Sequence, residues 1–191
     1  TNNKGGFFNK PENEFDVSCN LIDKITKSNK FNKEKTGLVL SSLSFPTNDS
    51  NNFYKQLYQD KNLGIEFPKK DLSYEIKKKY GLSDKHLCFD AACASGLYAL
   101  KIARDYLKFN KDLDTMLCGS VNISCPYFVI SGFKGFKAYN NNSIPFDKNS
   151  KGLVPGEGCV MLLLKRTSDA IRDGDNILGV FEDVSVKNAG K

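Results

Sequence analysis

The feature that most constrains this chain is the stretch Cys88-Phe89-Asp90-Ala91-Ala92-Cys93-Ala94-Ser95-Gly96-Leu97, where the period of the apolar residues changes. Up to Ala91 the pattern alternates as in a strand, with Leu87, Phe89 and Ala91 on one face and Cys88 and Asp90 on the other. From Leu97 it turns helical. Leu97, Leu100, Ala103 and Leu107 recur at three- and four-residue intervals, with Lys101, Arg104 and Asp105 on another face. Cys93 stands where the two periods meet, among Ala91, Ala92, Ala94, Ser95 and Gly96. Small neighbours permit a sharp bend and a close approach to the sulfur. The stretch therefore reads as strand, tight turn and helix with a cysteine at the corner, the geometry of a nucleophile elbow.

The attacking form of cysteine is the thiolate. A free thiol with a pKa of about 8.5 is only a few per cent ionised near neutral pH. A helix start favours a nearby anion by about 0.3–1 kcal/mol, less than the roughly 1.4 kcal/mol of one pKa unit. Nucleophilic use of Cys93 therefore calls for a second partner, ordinarily a histidine. Amides at the same turn suit an oxyanion when a thioester carbonyl is attacked. The competing reading is a small, buried, inert cysteine in a strand–helix corner. The only histidine, His86, lies at the start of the same strand. At about 3.3 Å per extended residue it stands ~15–20 Å from the sulfur, far beyond the roughly 3 Å reach of a general base. His86 is read as a strand-start or interface side chain, and a base for Cys93 is expected from outside these 191 residues.

That length is about one domain. The chain starts at Thr1, which reads as a fragment or a processed product. Hydrophobic residues make up 40%, with 14 Phe and 8 Tyr, enough for a core. No run of about 18 apolar residues is present, so no membrane-spanning helix is expected. The net charge of +6 comes from scattered lysines, clustered only at Lys69-Lys70 and Lys77-Lys78-Lys79. Without a gathered basic face or a recognition motif, nucleic acid is not an expected partner, whereas a mildly basic surface suits an acidic protein. The six cysteines are irregularly spaced and form no CxxC pair, which argues against a zinc site or a disulfide scaffold and for a reducing, cytoplasmic setting.

Residues 1–35 are rich in Asn and Lys and read as a partly exposed N-terminal extension with one amphipathic helix over 15–25. A buried strand is expected over 36–42, helices over 50–59 and 72–80 with Gly81 as the stop, and a strand over 86–91. The Cys93 helix runs to 109. Strands follow at 114–119, at 159–164 (apolar on both faces, hence central) and at 177–186, with short helices at 127–132 and from Ser168 to Gly174. The alternation implies an α/β layer structure. Between Ile144 and Gly158 lies an irregular, glycine-punctuated loop of the kind that is often functional.

Four stretches together resemble the N-terminal half of a β-ketoacyl synthase of the thiolase-like superfamily: Asp90 to Leu97; Gly119-Ser120-Val121-Asn122; Pro145-Phe146-Asp147 with Gly152 to Gly158; and Leu164 to Asp175. Leu43-Ser44-Phe45-Pro46-Thr47 and Lys187-Asn188-Ala189-Gly190-Lys191 are similar to ketosynthases of polyunsaturated fatty acid synthases, beside which a modular polyketide synthase stays open. The resemblance implies a layered α/β/α fold over residues 36–191, with Cys93 as the catalytic residue that takes an acyl chain. It implies decarboxylative condensation of that acyl-Cys93 with a malonyl unit. No cofactor is bound directly; both substrates ride on the phosphopantetheine of acyl carrier protein. The implied partners are that carrier, a C-terminal half bearing two histidines, and a second copy of the chain paired through residues 87–92. Phe146, Asp147, Gly156, Glu157 and Gly158 are implied as structural supports, and Pro155, Cys159 and Gly96 depart from the family's usual residues. A non-catalytic scaffold of the same fold, or a thiolase-type enzyme using coenzyme A thioesters, are the alternatives.

Overall fold

The computed structural model describes residues 13–42, 58–59, 71–123, 126–187 and 190. They fall into two compact units, one built from 14–45, 70–121 and 159–191, the other including 122–158.

The first unit is organised on β1, Thr36–Ser41, every residue of which is buried. It pairs in parallel with β2, His86–Phe89, and with β3, Thr115–Asn122, so that Ser41 stands opposite Phe89 on one side and Ser120 on the other. With β4, Gly158–Lys165, the sheet order is β2-β1-β3-β4. Parallel strands need covering helices on their faces. α1, Glu14–Ser28, buries Val17, Cys19 and Ile22, and α2, Leu72–Tyr80, buries Leu72 and Ile76. The helix read over 15–25 is thus α1, in the same unit as β1. Tyr80 ties the two helices through its hydroxyl, which lies 3.0 Å from Cys19 O and 2.7 Å from Asp23 Oδ1 and shares its one proton between them. α2 starts at Asp71, whose carboxylate accepts from the Ser73 amide, and stops at Gly81 in the left-handed conformation (φ 67°), as expected.

α3, Ser95–Phe109, packs on the sheet through Ser95, Ala99, Ala103 and Leu107. Ala99, Ala103 and Leu107 share a core with Val39, Leu113, Met116 and Cys118. The stripe corrects one expectation: Leu97 is 64% exposed. At about 100° per residue Leu97 points away from Ser95 and Ala99, on the same side as Lys101 and Arg104. Small residues on the inner face let the helix lie close to the strands, and that preference decides the rotation.

Three strand expectations are also revised. β2 ends at Phe89, two residues early, because the chain turns there; a single 3₁₀ turn, Ala92–Ala94, then leads into α3. β4 is not central: among the described residues it ends the sheet order, and its residues alternate between exposed and half-buried, with Val160 at 60%. Residues 177–186 form no strand, since no described strand pairs with them, and Leu178 is 94% exposed. The helix read over 50–59 lies outside the described residues except at Tyr58 and Gln59. The last helix of this unit, α5, is Thr167–Asp173, closed by Gly174.

The second unit holds α4, Pro126–Gly135, and the irregular loop. There Gly152 has φ 87°, and a Cβ on it would stand 2.4 Å from Ala138 O, so no other residue fits without moving the chain. Leu153 then bridges to Tyr139, and Asn122 donates to Gly156 O at 2.8 Å. Asp147 closes the turn at 147–150 by accepting from the Asn149 amide at 2.7 Å. Phe146 is fully exposed, with φ 63°.

Candidate active site

The carboxyl ends of the parallel strands meet at one place. β1 ends at Ser41 and Ser42, and the Ser42 amide donates to Phe89 O at 3.2 Å. Beside it, Ser41 donates to Gly119 O at 3.4 Å. Gly119 itself lies so close to β4 that a Cβ would come within 2.1 Å of Val160 O. Open parallel sheets form their sites at this edge. The first turn of α3 lies over it: a Cβ on Gly96 would rest 3.7 Å from Ser120 Cβ.

Cys93 sits at this edge, in the turn that joins β2 to α3, and it is exposed. The turn is built by its neighbours. Ala92 has φ 51°, a left-handed conformation that costs a residue bearing a Cβ about 1–2 kcal/mol. Two side chains oppose that cost. Asp90 Oδ1 accepts from the Ala92 amide at 2.7 Å. The buried Ser95 hydroxyl accepts from the Ala91 amide at 2.9 Å and donates to Ala92 O at 2.6 Å. The alternating pattern foretold the corner but not this clamp. The available signal was an Asp two residues ahead of the bend, the pattern of an Asx turn.

His86 is elsewhere. Its Nδ1 lies 2.9 Å from Ser73 Oγ, which donates its proton to Asp71 at 2.7 Å. With that hydroxyl proton committed, Nδ1 is the donor to Ser73. The ring is therefore held at the amino end of β2, away from the turn, against Tyr74.

The other described cysteines are free thiols with different surroundings. Burial pushes Cys118 up to about 12. Burial, then the Asp71 charge, pushes Cys88 up to about 12. Burial pushes Cys159 up to about 11. No group of three or more His, Cys, Asp or Glu side chains suited to a metal occurs among the described residues, and none of their helices is long and apolar enough to cross a membrane.

The open sheet with helices packed on it has the thiolase-like fold of solved ketosynthases. A ketosynthase from module 6 of the bacillaene synthase of Bacillus subtilis superposes with a TM-score of 0.58 at 28% identity, over 76% of this chain and 24% of that one. A type II polyketide ketosynthase in complex with its acyl-carrier protein superposes with a TM-score of 0.58 at 23% identity, over 76% of this chain and 40% of that one. In sequence, one of the polyunsaturated fatty acid synthase subunits of Thraustochytrium sp. is 31% identical over 213 positions, covering 95% of this chain and 10% of that protein. The family model for the β-ketoacyl synthase N-terminal domain matches residues 22–170 and so begins within α1. The chain belongs to the β-ketoacyl synthase family. It spans about a tenth of that synthase polypeptide and less than half of either ketosynthase.

Proposed function

We propose that this chain is the cysteine-bearing portion of a condensing acyltransferase, and that Cys93 is its nucleophile. The observation that carries the reading is an exposed thiol on the turn between β2 and α3, at the carboxyl edge of a parallel sheet. In the first half-reaction the Cys93 thiolate attacks an acyl thioester carried on the phosphopantetheine of acyl carrier protein. The tetrahedral adduct collapses with loss of the carrier thiol and leaves an acyl-Cys93 thioester. The Cys93 amide supplies part of the oxyanion hole. In the second, malonyl-carrier loses CO2, its carbanion attacks the acyl carbonyl, and the Cys93 thiolate departs. The product is a β-ketoacyl thioester two carbons longer, as fatty acid or polyketide synthesis requires.

His86, the only histidine, is bound to Ser73, so the groups that assist decarboxylation belong to a C-terminal half. The net charge of +6 favours an acidic carrier. β2 ends the described sheet order, which suits pairing of residues 87–92 with a second copy of the chain. The free thiols at Cys19, Cys88, Cys93, Cys118 and Cys159 suit a reducing cytoplasm. The test is mass spectrometry of the full-length protein after exposure to acyl-carrier and acyl-coenzyme A thioesters in parallel. Acylation at Cys93 from the carrier, and loss of elongation in Cys93→Ala, are expected. Label on another cysteine, or elongation that survives the substitution, overturns the reading. Preference for coenzyme A indicates the thiolase type.

A further inference from the structure

We infer that Ser95 and Asp90 are positioning residues that set the aim of Cys93 by holding Ala92 in its left-handed conformation. The inference rests on the reading of Cys93 as the acylated residue. Ser95 is 3% exposed, yet its hydroxyl serves two backbone groups of the turn, one on each side of the Ala91–Ala92 link. A serine that only started the helix would accept from amides after it in sequence; this one faces backward, onto the residues before the thiol. Asp90 holds the amide of the same strained residue from the other side. Without these partners Ala92 prefers negative φ, and the residue that follows is rotated away from its place over the sheet edge. The strain at Ala92 corresponds to about five- to thirtyfold in population, and that factor sets the size of the effect.

Glycine supplies the critical comparison, because it adopts positive φ without that penalty. In the full-length protein Ser95→Ala is expected to slow acylation of Cys93 by about five- to thirtyfold. Adding Ala92→Gly to that variant restores the rate to within about threefold, and Ser95→Thr, which keeps the hydroxyl, retains it. Alkylation of Cys93 by iodoacetamide, which needs access rather than aim, stays within about threefold throughout. Circular dichroism reports whether each variant folds. Should Ser95→Ala not fold, the exposed Asp90→Ala carries the same test, with a smaller loss and the same recovery by glycine. Acylation at the wild-type rate in these variants, or a loss that glycine does not relieve, overturns the inference. Absence of acylation at Cys93 in the unaltered protein removes the reading beneath it and the inference together. Wild-type acylation with an indifferent Ser95→Ala removes the inference alone.

Discussion

The two ends of α3 are held by side chains in opposite ways. Every helix end leaves backbone groups without intrahelical partners. At the amino end no side chain caps α3; Asp90 and Ser95 instead hold the turn before it, which is strained at Ala92 and exposes Cys93. At the carboxyl end the partner is Arg166, which donates to Leu107 O at 2.9 Å, to Leu113 O at 2.6 Å and to Asp169 at 2.7 Å. There the neighbours Leu107 and Leu113 are buried, and no described non-glycine residue between Ala92 and Lys137 has a positive φ. One end spends backbone energy to present a side chain; the other fixes the helix to the following strand and to α5. Strain and accessibility coincide at Cys93 because a residue packed into the core has no need to be re-aimed.

The largest effect that follows is chemical. At pH 8 a thiol with a pKa of about 12 is ionised to about one part in ten thousand. Cys93 should therefore alkylate about a hundredfold faster, or more, than Cys88 or Cys118 in the folded protein, as read by peptide mass spectrometry over time. Raising the pH should increase labelling of Cys88 and Cys118 roughly tenfold per unit, up to about 12. The sign for stability is the reverse. These thiols hold their protons more tightly folded than unfolded, so their contribution is fully present below the ordinary thiol value. It is lost as pH climbs from there towards about 12, on the order of 1 kcal/mol per thiol and pH unit. Equal labelling of Cys88 and Cys93 at pH 8 would erase the contrast between the exposed corner and the sheet beneath it.

The second effect tests the carboxyl end. Arg166→Ala removes three charged hydrogen bonds and should destabilise by about 2–4 kcal/mol in urea unfolding followed by circular dichroism. Cys93 acylation in the molecules that remain folded should not change. Arg166→Lys should recover only part, because an ammonium cannot span the carbonyls of Leu107 and Leu113 as a planar fork does. Loss of acylation in the folded fraction of Arg166→Ala would show that the two ends are coupled.

What the sequence revealed follows the range of the forces involved. β1, α2 with its Gly81 stop, and the corner at Cys93 are set by neighbours within a few residues, and all were legible; the Asp71 start is as local but was not read. The outward turn of Leu97, the place of β4 at the end of the order and the unpaired course of 177–186 depend on what lies across from them, which periodicity does not contain. The clamp at Ala92 is local and still escaped. Ser95 reads like any helix-start serine until its hydroxyl is seen to face backward. That His86 is unsuited to act as the base was legible from strand length alone; its bond to Ser73 adds the reason it stays where it is.

The smallest effect separates redundancy from necessity at the carboxyl end. Asn110 meets Tyr106 O twice, through its backbone amide at 2.9 Å and its side-chain amide at 3.0 Å. Asn110→Ala removes only the second bond, and the carbonyl keeps a partner, so a cost of about 0.5–1 kcal/mol is expected. Among the described residues the Ala91 amide has no such duplicate and finds its partner in the Ser95 hydroxyl. Measured side by side, Asn110→Ala should leave both melting and acylation near wild type, while Ser95→Ala slows acylation out of proportion to its effect on melting. Were Asn110→Ala to cost as much as Arg166→Ala, the carboxyl end would depend on single contacts as the amino end does, and the distinction between an end that aims and an end that holds would fail.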